Sequence, residues 1–109
     1  MKTYAKTLLL QDDAEKIAAY QRYHAAVWPE VLATIHACNI RNYSIFRYHT
    51  TLFAYFEYVG DDFAADMARM AADPKTGEWW THTEPLQEPV PDRPPGTWWA
   101  TLREVFHTD

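Results

Sequence analysis

Asn42-Tyr43-Ser44-Ile45-Phe46-Arg47-Tyr48 leads through His49-Thr50-Thr51 into Leu52-Phe53-Ala54-Tyr55-Phe56-Glu57-Tyr58-Val59. Two runs rich in aromatic and β-branched residues, joined by a short polar turn, read as a β-hairpin. Towards the N-terminus, Ala14 onwards sets Ile17, Tyr20, His24, Val27, Val31 and Ile35 three or four residues apart, the face of a helix. Asp12 or Asp13 is its expected N-cap. Pro29 predicts a kink or break near Trp28, and the helix should end near Cys38-Asn39. Before it, Tyr4 to Leu10 reads as a strand.

Towards the C-terminus, Gly60-Asp61-Asp62 forms a turn and cap. Phe63, Met67 and Met70 mark a second amphipathic helix ending near Ala72-Asp73. Pro74 suits the first position of a further helical turn bearing Trp79-Trp80. Glu84 to Gly96 holds Pro85, Pro89, Pro91, Pro94 and Pro95, which predicts a semi-rigid loop. Trp98 to His107 reads as a closing strand. The order strand, helix, strand, strand, helix, strand is the α+β, ferredoxin-like βαββαβ arrangement: a four-stranded antiparallel sheet with helices on one face. The aromatic residues on the other face call for a cover, and a symmetric homodimer of sheet against sheet supplies one.

The 109 residues fit one domain, residues 1–109. With 48% hydrophobic and 23% charged residues, the chain has a globular balance rather than a disordered one. Its net charge of −5 argues against nucleic acid or an anionic membrane as partner. A single cysteine, Cys38, forms no internal disulfide. The apolar run Thr7 to Leu10 is too short for a signal core or a membrane span. A cytoplasmic location is the expectation.

Three glycines leave no phosphate-cradling loop, and no zinc-ligand or nucleophile-elbow spacing occurs. No metal or cofactor is expected. Cys38, near a helix end without a base, reads as inert. The informative composition is aromatic: five Trp and seven Tyr. Tyr20 and His24 share a helical face. A core stripe would explain them equally well, but a histidine in an apolar face needs a partner or a use, and it exchanges protons near neutrality. Adjacent helical residues diverge by about 100°, so one of Trp79 and Trp80 packs while the other lines a site, unless both anchor the Pro-rich loop. Trp98 and Trp99, in a strand, should face opposite sides. Tyr43 fills the core or reaches a ligand. Arg22 is a solvated charge or ion-pair partner, and Glu57 needs a wet or hydrogen-bonded setting. His36, His49, His82 and His107 read as surface or structural.

Tyr20-Gln21-Arg22-Tyr23-His24-Ala25-Ala26-Val27-Trp28-Pro29-Glu30 resembles the signature helix of the L-rhamnose mutarotases. The resemblance continues through Asn42 to Phe46, Leu52 to Glu57, Ala72 to Trp80, Gln87-Glu88-Pro89, Pro95 to Trp99 and Glu104 to His107. It implies a homodimeric α+β barrel that interconverts the anomers of L-rhamnose, or of a related 6-deoxy sugar such as L-fucose, without a cofactor. It also implies His24 as proton donor, with Tyr20, Tyr43, Trp79 and Trp80 binding the monosaccharide. Where the better-known bacterial members read Asn-Pro, this chain reads Ala25-Ala26, so sugar preference is the property most exposed to change. The second proton-transfer group is a residue, such as a Tyr hydroxyl, or a bound water. Two alternatives remain: a small monooxygenase on the same barrel, and a non-catalytic sugar-binding dimer. Haem binding or oxygen uptake would mark the first, and saturable binding without acceleration the second.

Overall fold

A computed structural model of the chain describes all of residues 1–109. β1 (Lys2–Leu10) is followed by α1 (Ala14–Ala25), α2 (Pro29–Ala37), β2 (Ile40–Tyr48) and β3 (Thr51–Tyr58). α3 (Phe63–Ala72), α4 (Pro74–Thr83), a short 3-10 turn, β4 (Gln87–Glu88) and β5 (Ala100–Thr101) complete the chain. Acidic caps start three of the helices. Asp13 accepts from the Lys16 amide at 3.0 Å, Asp62 from Ala65 at 3.1 Å and Asp73 from Thr76 at 2.9 Å. Each occupies amides that the first turn leaves without a partner. Pro29 breaks the long helical run in two and stands at the start of α2, where its missing N–H costs nothing.

The antiparallel sheet has the order β2-β3-β1, with β4 and β5 both pairing along the remaining edge of β1. β4 meets Leu9 and Leu10, and β5 meets Lys6 and Thr7. The fourth strand is therefore split. The expected closing strand from Trp98 to His107 shrinks to Ala100–Thr101. Trp98 and Trp99 lie in a bend instead of alternating, and Leu102 to Asp109 run off the sheet, exposed. The physical reason lies between the two short strands. Pro89, Pro91, Pro94 and Pro95 lack the N–H groups that would continue the ladder begun at Gln87.

Even-numbered residues of β1 and β3 face the helices. Leu8, Leu10, Leu52 and Tyr20 form one core cluster, and Ile40, Phe56 and Tyr58 another. Only 15 of 109 residues are buried, a thin core that follows from covering one sheet face alone. On the bare face Phe46 is 62% exposed, Tyr48 69% and Phe53 43%. Glu57 lies there too, held by the Asn42 amide at 2.6 Å and the Tyr55 hydroxyl at 2.9 Å.

A β-bulge decides which way Tyr43 points. Arg41 pairs with Glu57 and Ser44 with Tyr55, so Asn42 and Tyr43 together oppose Phe56. Asn42 takes φ 50°, a left-handed conformation that asparagine tolerates. The extra residue reverses the alternation and turns Tyr43 and Ile45 to the helix side. Tyr43 then packs 5.5 Å from Phe56, ring centre to ring centre.

Candidate active site

His24 sits in the last turn of α1, one turn after Tyr20. The two rings stack at 4.2 Å. Nδ1 of His24 lies 2.9 Å from the Tyr20 carbonyl oxygen. A carbonyl only accepts, so Nδ1 holds the proton and donates, and Nε2 keeps a free lone pair. Burial lowers the imidazole pKa, outweighing the opposing pull of that hydrogen bond. His24 is thus a neutral, oriented base at pH 7.

Aromatic residues from three helices wall it in. Trp79 of α4 stands edge-on at 5.5 Å from His24, 5.7 Å from Tyr23 and 5.2 Å from Trp28. The helix break before Pro29 is what lets Trp28 swing back against α4. Trp79 is buried, whereas Trp80 is half-buried and makes none of these ring contacts. On the other side, Tyr20, Gln21, His24 and Ala25 of α1 face Ile45, Phe46, Arg47 and Leu52 across a cleft of about 340 Å³. Ala25 forms part of that wall.

Tyr20 reaches inward. Its hydroxyl receives a long, 3.5 Å hydrogen bond from the Gln87 amide, whose Oε1 accepts from the Trp98 indole at 2.7 Å. Burial raises the Tyr20 pKa above its ordinary value, against the opposing effect of the Gln87 hydrogen bond. Tyr43, raised by burial, has no hydrogen-bond partner for its hydroxyl. Of the five residues anticipated, the fold brings His24, Tyr20 and Trp79 into direct contact. Tyr43 packs against the Ile40, Phe56 and Tyr58 cluster instead, and Trp80 makes no ring contact with His24, Tyr20 or Trp79.

Sequence reasoning missed Gln87, Lys6 and His82. Gln87 is 7% exposed, and a glutamine beside a Pro-rich loop carries no signal of that. His82, expected at the surface, is exposed but packs 5.6 Å from Trp28 with Nδ1 3.5 Å from the Tyr23 hydroxyl. Lys6 had a legible signal: it occupies an inward position of a strand between Tyr4 and Leu8.

A small α+β fold that sets an oriented, neutral imidazole beside an aromatic-walled cleft has the parts of an acid–base enzyme. The L-rhamnose mutarotase family model matches residues 3–108. The chain is 36% identical to an L-rhamnose mutarotase of Opitutus terrae, over 95% of this chain and 97% of the relative. It is also 36% identical to an L-fucose mutarotase of Xanthomonas campestris, over 97% and 87%. The crystal structure of an L-rhamnose mutarotase from Formosa agariphila superposes with a TM-score of 0.76 at 26% identity, covering 100% of both chains. A polyketide cyclase of Streptomyces glaucescens, TM-score 0.64 at 17% identity, shares the fold alone. The chain belongs to the L-rhamnose mutarotase family, and it is an enzyme of the isomerase class.

Proposed function

We propose that the protein interconverts the α and β anomers of L-rhamnose, or of a related 6-deoxy sugar such as L-fucose, with His24 as the base. The observation that supports this most is the imidazole itself: neutral, held in one tautomer and part of the wall of a cleft. Mutarotation opens the ring as the anomeric hydroxyl loses a proton and the ring oxygen gains one. The C1–C2 bond of the open aldehyde rotates, and reclosure returns both protons. His24 takes a proton first and gives it back on closure, so it serves as donor in the return step. Trp79 and Trp80 offer apolar surface to the sugar's C–H face and methyl group, while Tyr20 and Tyr43 bind hydroxyls.

Saturation-transfer NMR across a panel of 6-deoxy sugars tests the reading. The wild type should accelerate exchange, and His24→Ala should lose about 10²- to 10⁴-fold with its melting curve unchanged. Equal rates would refute the assignment. Saturable binding without acceleration would replace it with a non-catalytic sugar binder.

The working form is a cytoplasmic homodimer. Support comes from the bare sheet face and from the exposed C-terminal residues Leu102, Val105 and Phe106, which have no apolar cover within the chain. Sedimentation at micromolar concentration should give twice the chain mass, and Phe53→Glu should give the monomer. A wild-type monomer would count against it.

A further inference from the structure

Three polar groups on the helix-side face are short of hydrogen-bond partners within the chain. The Tyr43 hydroxyl has none, and the Tyr20 hydroxyl receives one long bond while donating none. The third is Lys6. Its ammonium lies 4.5 Å from the centre of the Trp99 ring, 5.2 Å from Tyr43 and 5.5 Å from Phe56. It forms no ion pair with any carboxylate. Nor is it sealed, because every side-chain polar atom shut off from solvent has a hydrogen-bond partner and this one has none. The ring faces offset part of the ammonium's lost hydration, and its N–H groups have no hydrogen-bond partner within the chain.

Resting on the mutarotase reading, we propose that Lys6 is the second proton-transfer group, its ammonium donating to the ring oxygen of the sugar while Nε2 of His24 takes the anomeric proton. Sheet register puts Lys6 on the same sheet face as the Ile45 side of the His24 cleft. Lys6 pairs with Ala54, and Ala54 with Ile45, so the three lie in one row. Two strand spacings, about 10 Å, separate the Lys6 backbone from that of Ile45, which lines the His24 cleft. Tyr20 stacks on His24, and the core cluster to which Tyr20 belongs also packs Trp99, whose ring centre is 4.5 Å from the Lys6 ammonium.

The step balances without a co-reactant. The C1–O5 bond breaks with its electron pair going to O5, which takes a proton from Nζ of Lys6. The O1–H proton passes to Nε2 of His24, and C1=O1 forms. After rotation, O5 attacks C1, its proton returns to Nζ and that of Nε2 returns to O1. Burial brings the Lys6 pKa down to about 8, while burial lowers that of His24. At neutral pH one is charged and the other is not, as an acid and its matching base must be. The titratable group facing the Lys6 ammonium is Tyr43 of β2, its ring centre 5.2 Å away. The other cation of the cleft wall, Arg47, is tied to Gln21 at 2.8 Å and to the His49 carbonyl at 2.8 Å.

The test measures anomer exchange of L-rhamnose from pH 5 to 10 for wild type, Lys6→Met, Lys6→Arg and His24→Ala, with thermal melts confirming folding. The wild-type rate should fall as pH passes about 8. Lys6→Met should lose roughly 10²-fold and the alkaline fall with it, and Lys6→Arg should keep part of the rate with the fall displaced upward. In addition, ¹³C-dimethylated Lys6 should titrate near 8 and move on adding L-rhamnose. A folded Lys6→Met with wild-type rate and an unchanged alkaline limb overturns the proposal, as does a Lys6 signal blind to the sugar. If His24→Ala fails as expected while Lys6→Met does not, only the role of Lys6 falls. If wild type itself gives no acceleration, the mutarotase reading falls with it.

Discussion

The helix-side face of the sheet has two ends, and they treat tyrosine in opposite ways. At one end the Tyr58 hydroxyl donates to Asp66 and accepts from the Asp62 amide at 3.1 Å. Asp66 also accepts from Asn39 at 2.9 Å and Arg69 at 2.7 Å. Gly60 lies so close that any Cβ would collide with Tyr58 and Asn39. Every polar atom there is matched, and the network ties β3, α3 and the β2 approach together. Further along the same face Tyr20, Tyr43 and Lys6 hold hydrogen-bonding capacity that no protein group uses. A satisfied network spends its polar groups on architecture. An open one keeps them for a guest.

The largest test of this contrast is the loss of about 10²- to 10⁴-fold on removing His24, which should leave Tm near wild type. Next in size is stability at Lys6. Its folded pKa of about 8 lies below the ordinary lysine value of 10.5, so the charged form opposes folding below pH 8. That opposition fades as pH rises from 8 towards 10.5, where the unfolded chain binds the extra proton. Lys6→Met should therefore be more stable than wild type at pH 7, by about 1–3 kcal/mol, with the advantage shrinking above pH 8 in urea melts.

The same substitution made at both ends sharpens the comparison. Tyr43→Phe should cost about tenfold in kcat/KM and leave Tm unchanged, because its hydroxyl binds nothing in the free protein. Tyr58→Phe should lower Tm and leave the rate per folded molecule unchanged. The smallest effect is in acid. Hydrogen bonds from Tyr58 and Asn39 hold the Asp66 carboxyl below its ordinary 3.8. Its contribution is complete above that value and is lost as pH falls through the depressed one. Asp66→Asn should flatten this part of the stability–pH curve.

Most of the fold could be read from local chemistry. Asp62, Asp73, Pro29 and Pro74 mark helix ends by the amides they bond or lack, and those rules act within a few residues. The fourth strand could not be read that way. Trp98 to His107 has strand-like residues, but the length that pairs depends on β1, more than ninety positions earlier in the chain. Tyr20 and His24 stood out because helical spacing puts them on one face. The tautomer of His24 was beyond reach, since it depends on a carbonyl lone pair. Tyr43 was ambiguous because the bulge at Asn42 reverses the strand's alternation, and nothing in the aromatic pattern announces an extra residue.

The split outer strand has an evolutionary consequence. Both feet of the proline arch between Glu88 and Ala100 rest on β1, and the Trp98 indole bonds back to Gln87. Residues can be gained or lost within the arch while every strand keeps its register. The length of the arch is thus uncoupled from the pairing on which the sheet depends.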